Sequence, residues 1–238
     1  MRTIYFYSSF ALFMISTIFF KLRLDYITKT KSSLEAEKYM DRLLKIWASF
    51  CLKRAGIKVK IQGEENLPNC NCLFVSNHQG YFDIPALIYA TNRPIGFIAK
   101  KEILKYKFLS YWMIKIHCVF IDRENIRESM TAINKGAEYL EKGYNIAVFP
   151  EGTRSKGPKI GEFKKGSMKL ATKSGAPVVP VAINGTYKAR EGNKWSLIKP
   201  AEITITICKP IYVSELDKED KANLSEIVKS ILEANIIL

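Results

Sequence analysis

The sequence predicts an α/β body that carries apolar helical segments at its N-terminal end, and three observations lead there. From Ile57 onward, short apolar runs of strand length alternate with stretches of helical periodicity. Two of those runs end in polar, glycine-bearing turns, Asn77-His78-Gln79-Gly80-Tyr81-Phe82-Asp83 and Glu151-Gly152-Thr153-Arg154-Ser155. Strand ends of this kind are where α/β domains gather their chemistry. Ahead of the body, Ile4 to Phe20 is apolar and aromatic and holds no charge.

In chain order, that first run would form a helix about 25 Å long, slightly short of a bilayer core of about 30 Å. Lys21, Arg23, Lys29 and Lys31 follow it, so its basic end is expected on the cytoplasmic side. No small-residue cleavage site marks it as a signal peptide. Glu37 to Arg54 forms a second helix, with Met40, Leu43, Leu44, Trp47, Phe50 and Cys51 on one stripe flanked by basic residues. That stripe suits a bilayer surface or the protein's own core equally well.

Ile57, Val59 and Ile61 alternate with polar residues as a strand, and a turn follows from Asn66 to Asn71. Leu73 to Val75 is a buried strand; Ile84-Pro85-Ala86-Leu87 opens a helix, for which Asp83 is also a suitable N-cap. Strands are expected at Ile95–Ala99, Cys118–Ile121, Ile146–Phe149, Val178–Ile183 and Ile203–Ile207. Met130, Ile133, Ala137 and Leu140 recur at helical spacing before Gly143, and Leu224, Ile227, Val228, Ile231 and Leu232 form a closing helix. Strand order is not visible at this level.

The 238 residues are 47% hydrophobic and 25% charged, an ordinary globular balance, but the net charge of +14 calls for anionic partners. Five cysteines stand in no standard metal pattern, so no metal is expected, and reduced thiols in a cytosolic body are the default. In the first polar turn, Gly80 lets Asp83 fold back onto His78, and a carboxylate–imidazole pair makes a general base. The second turn continues to Phe163-Lys164-Lys165-Gly166 and crowds glycines with cations, a setting for an anion such as phosphate.

These blocks resemble the glycerolipid acyltransferases, in particular the bacterial 1-acyl-sn-glycerol-3-phosphate acyltransferases. The resemblance rests on Asn77-His78 with Asp83, on Phe149-Pro150-Glu151-Gly152-Thr153-Arg154-Ser155, and on two further blocks, Val119-Phe120-Ile121-Asp122-Arg123 and Val178-Val179-Pro180-Val181. Lys100-Lys101-Glu102-Ile103-Leu104 matches the family's lysine-glutamate segment. The family usually has proline and glycine where Lys107 and Ser110 stand, and a glycine near His117.

The resemblance implies a single mixed-sheet acyltransferase domain with helices around it (residues 57–238), preceded by a membrane-docking helix pair (residues 1–56). It implies transfer of an acyl group from acyl-CoA or acyl carrier protein to the sn-2 hydroxyl of lysophosphatidic acid, giving phosphatidic acid at the cytoplasmic side of a cell membrane. His78 would be the base and Asp83 its orienting carboxylate. The Glu151, Gly152, Thr153 and Arg154 turn would hold the acceptor phosphate with Arg123 and Lys100 or Lys101. No resident cofactor is implied. Another lysolipid acceptor, an inactive membrane scaffold and a nucleic-acid binder are the alternatives, but the cations sit in glycine turns rather than in a nucleic-acid-reading motif.

Overall fold

The computed structural model describes residues 1–122, 125–164 and 166–236. Two helices open the chain, α1 (Arg2–Thr30) and α2 (Ser33–Ala55). The body alternates β1 (Ile57–Gln62), β2 (Leu73–Ser76), α3 (Asp83–Thr91), β3 (Ile95–Lys100), α4 (Lys107–Lys115), β4 (Val119–Ile121) and α5 (Ile126–Glu141). It continues through β5 (Asn145–Val148), α6 (Lys169–Ser174), β6 (Val178–Asn184), β7 (Ala201–Ile207) and α7 (Lys218–Ala234). Among the described residues the strands form one sheet in the order β1-β7-β6-β2-β5-β3-β4. Every pairing is parallel except β6 with β7, so the sheet is mixed, as expected.

Period-two alternation sorts the strands' side chains onto two faces. On β2, Phe74 joins an apolar layer with Phe97, Ala147, Val179, Val181 and residues of α2 and α3. Its neighbours Leu73 and Val75 face the opposite layer, with Ile146, Val148, Leu170 of α6, and Leu224, Val228 and Leu232 of α7. β2 is therefore covered on both sides and lies in the middle of the sheet, which is why it reads as a continuous apolar run.

Most elements fall where the periodicity puts them. The helix at α5 is capped by Asn125, whose side chain accepts from the backbone of Arg127 and Glu128. Asp217 caps α7 by accepting from Asp220. The short helix α4 has no counterpart in the sequence reading. Cys118 lies just before β4 rather than in it, because His117 turns the chain through a left-handed conformation with φ 61°.

The expected boundary at residues 56 and 57 is not a gap in packing. Leu44, Ala48, Leu52 and Ala55 of α2 are buried in the same apolar layer as Phe74 and Val181. Of the two environments open to α2, this buried face takes the core. α1 packs against α2 through stacked Phe13 and Phe50 rings, 4.5 Å apart. α1 spans 29 residues, much longer than the 17-residue apolar run within it, because helix propagation continues through the basic segment.

Candidate active site

The parallel strands β2, β5 and β3 deliver their following turns to one edge of the sheet. After β2, Asn77 bonds both ways to the backbone of Ile183 on β6, accepting from its N–H and donating to its carbonyl at 2.8 Å each. The turn is thus fixed to the sheet before His78 begins. His78 Nδ1 lies 2.7 Å from Asp83 Oδ2, and the fully buried carboxylate also accepts the backbone N–H groups of Gln79 and Gly80 at 2.6 and 2.8 Å. An ionised carboxylate can only accept, so Nδ1 carries the proton and Nε2 presents the lone pair. The imidazole stacks on Phe149 with ring centroids 4.1 Å apart, which sets its plane.

Asp83 does not cap α3 with its side chain. The N-cap position belongs to Phe82, and Asp83 Oδ2 turns back to the loop that precedes the helix. Its Oδ1 accepts the hydroxyl of Thr186, which follows β6 and is fully buried. Gln79 Oε1 accepts from the backbone N–H of Gly185 at 2.8 Å and draws the same segment in.

The second turn docks directly on the first. Glu151 Oε1 accepts the backbone N–H of His78 at 2.6 Å and Oε2 that of Gly161 at 2.8 Å, while Ser155 N donates to the His78 carbonyl at 2.7 Å. A Cβ on Gly161 would lie 2.9 Å from Glu151 Oε2, so a side chain there would force this carboxylate oxygen to shift. Burial pushes the Glu151 carboxyl above its ordinary range, and the two backbone donors pull against that shift. Glu151, which the resemblance assigns to the phosphate-holding turn, is buried here and braces the two turns against each other. Gly152 follows with φ 71°, Thr153 is exposed, and Arg154 is partly buried with Nη1 3.1 Å from Glu191 Oε1.

Lys100 and Lys101 lie at the same sheet edge but two strands from β2, about 10 Å along the sheet at ordinary strand spacing. Lys101 pairs with Glu128 and sits 3.7 Å from Asp122. The structure therefore draws His78, Asp83, Glu151 and Arg154 together and leaves these two lysines farther along. Arg123 and Lys165 lie outside the described residues.

Sequence reasoning passed over Gln79, Tyr81, Thr186, Arg190 and Glu191. One signal was present: Asn184-Gly185-Thr186 is a third polar turn ending an apolar strand. Lys107 and Ser110 stand on α4, Ser110 buried, and His117 is stacked on Tyr144 at 3.6 Å. The left-handed backbone at His117 suits the glycine that the family carries nearby.

Residues 58–184 match the family model described as Acyltransferase. The chain is 35% identical to a chloroplastic 1-acyl-sn-glycerol-3-phosphate acyltransferase of Brassica napus, over 76% of this chain and 52% of that protein. It is 32% identical to a 1-acyl-sn-glycerol-3-phosphate acyltransferase of Borreliella burgdorferi, over 79% of this chain and 77% of that one. The chain spans about half the length of the plant relatives it matches. The crystal structure of the 1-acyl-sn-glycerophosphate acyltransferase PlsC from Thermotoga maritima superposes with a TM-score of 0.80 at 26% identity, covering 99% of this chain and 94% of that one. The matched domain, these relatives and the shared fold agree: the chain belongs to the acyltransferase family, among its 1-acyl-sn-glycerol-3-phosphate acyltransferases.

Proposed function

We propose that this protein moves a fatty acyl group from acyl-CoA or acyl carrier protein to the sn-2 hydroxyl of lysophosphatidic acid, at the cytoplasmic face of a membrane. The observation that carries the reading is His78 Nδ1 at 2.7 Å from a carboxylate that is itself fully bonded. Nε2 takes the hydroxyl proton as the oxygen attacks the thioester carbon, so a C–O bond forms and the tetrahedral intermediate collapses with loss of the C–S bond. The departing thiolate receives that proton from the imidazolium. Asp83 stabilises the imidazolium between the two events, and a base of this kind is worth about two to four orders of magnitude in rate. No acyl-enzyme is needed, and none of these steps calls for a resident cofactor. Cys118 is buried, with its thiol pushed up to about 12, which disqualifies it as a nucleophile.

α1 supports the membrane assignment. It is long and apolar enough to cross a bilayer, yet its two ends are tied to the body. Thr3 Oγ1 accepts from Ile198 N, and Asp25 accepts from Tyr111 of α4. Leu12, Ile15, Phe19, Leu22 and Tyr26 are exposed at three- and four-residue spacing, an outward apolar stripe that suits a helix lying in the lipid interface.

Free-thiol release from acyl-CoA, with and without lysophosphatidic acid, tests the reaction. Release should depend on the acceptor, and His78→Ala should lower it by at least about a hundredfold. Labelled donor alone should leave no acyl group on the protein. Acceptor-independent release, or near-normal turnover by His78→Ala, would sink the assignment.

A further inference from the structure

We infer that Arg190 is a second guanidinium of the acceptor-phosphate site, set beside Arg154 by the buried carboxylate of Glu191 and the ring of Tyr81. This deepens the proposed reaction and rests on that reading of the acceptor. Arg154 and Arg190 both pack on the Tyr81 ring, their guanidinium carbons 3.8 and 4.6 Å from its centroid. Both also face one oxygen, Glu191 Oε1, at 3.1 and 3.7 Å. The same oxygen accepts the Tyr81 backbone N–H at 2.9 Å, so Glu191 joins three segments: the His78 turn, the Arg154 turn and the chain after β6.

The charges do not close among these residues. Two guanidiniums meet one carboxylate, which leaves one positive charge on a ring that is exposed to solvent. Glu191 is itself poorly satisfied. Its side chain is 4% exposed, and its Oε2 has no donor among the described residues. That oxygen lies against Gly80, where a Cβ would come within 2.4 Å, so any side chain there would displace it. Stability alone does not favour a buried carboxylate with one idle oxygen and a surplus cation beside it. Local rules are broken in this way where function requires it. An anion that takes the free N–H groups of both guanidiniums would balance the cluster, and a phosphomonoester matches their planar forks.

The cluster is also in the right place. Tyr81 stands three residues after His78, and Arg154 immediately precedes Ser155, whose N–H is bonded to the His78 carbonyl. Arg190 Nε donates to the Tyr7 hydroxyl of α1 at 3.1 Å, which aims its remaining nitrogens and puts the headgroup site beside the apolar helix. The pyrophosphate of coenzyme A offers the same chemistry from the donor side, so the test must separate the two sources.

Arg190→Ala, Arg190→Lys and Glu191→Gln of the full chain in detergent micelles should be compared with wild type. Two readouts serve: steady-state kinetics, and calorimetric binding of lysophosphatidic acid against a monoacylglycerol of equal chain length. Wild type should bind the phosphorylated lipid more tightly, and Arg190→Ala should lose about tenfold of that preference. Its KM for lysophosphatidic acid should rise about tenfold, with kcat and the donor KM within about threefold of wild type. Arg190→Lys should recover part of the loss. Glu191→Gln should raise the acceptor KM with kcat largely kept, which a change confined to folding would not do. If wild type prefers the phosphorylated lipid and Arg190→Ala keeps the full preference, Arg190 is not a phosphate ligand. A rise in the donor KM alone would reassign the pair to the carrier and overturn the inference. Equal binding of both lipids by wild type would overturn the phosphate reading of the whole site.

Discussion

Asp83 accepts three N–H donors on one carboxylate oxygen and a single hydroxyl, from Thr186, on the other. The distribution makes Thr186 the residue on which the second oxygen depends. Thr186→Val keeps the shape of the side chain but leaves that oxygen buried without a donor, a cost of about 1–3 kcal/mol. The loss falls on the carboxylate that, in the proposed mechanism, stabilises the imidazolium, so kcat should drop by about tenfold or more while the acceptor KM changes little. Thr186→Ser should restore most of the rate. Parallel kinetics and thermal unfolding of the two variants check this, and a Val variant with normal kcat would show that the hydroxyl serves packing alone. The His78–Asp83 pair was legible because both partners lie in one turn. Thr186 and Glu191 were not, since they stand more than a hundred residues from Asp83 and Tyr81, respectively.

At the scale of single elements, the corner between α4 and β4 is the place where local preference gives way. His117 holds φ 61°, a conformation that favours glycine or asparagine, and its ring is packed against Tyr144 and Tyr139. Burial lowers the affinity of the His117 ring for a proton, with the Glu37 carboxylate acting in the opposite sense. A base with a depressed folded value binds fewer protons when folded than when unfolded. Its neutral form is therefore favourable at higher pH, and stability is lost as pH falls through its ordinary 6.5 and below. His117→Asn tolerates the backbone and cannot titrate. Melting temperatures followed from pH 8 to pH 5 should fall more steeply for wild type than for the variant. Parallel curves would show that His117 binds a proton equally well in the folded and unfolded states.

For the molecule as a whole, the N-terminal helices and the body share one core. α2 buries Leu44, Ala48 and Leu52 under the sheet, and α1 adds Phe6, whose ring meets Phe82 edge-on at 5.6 Å beside the His78 turn. Fully burying a Leu or Phe side chain is worth about 1.5–3 kcal/mol, so removing Leu44, Leu52 and Phe6 together approaches the whole stability of a domain. Deletion of residues 1–56 should therefore abolish cooperative unfolding, whereas deletion of residues 1–31 should leave a folded but less stable protein. Circular dichroism melts of the two truncations decide the matter. A cooperative, wild-type-like melt for the shorter chain would show that the body folds without α2.

The sequence by itself determined the α/β class, nearly every strand, the pairing of His78 with Asp83, and two polar turns that each end a strand. All of these depend on apolar period or on residues within one turn, and both are local properties. The tertiary structure alone decided the strand order, the antiparallel placement of β7, the side of α2 that is buried, and the role of Glu151 as a brace. It also brought Thr186, Arg190 and Glu191 to the site, 103 residues from Asp83 in the case of Thr186. Those outcomes follow from long-range pairing, in which β6 lies beside β2 and carries its own polar turn to the histidine. Spacing along the chain holds no record of such a neighbour.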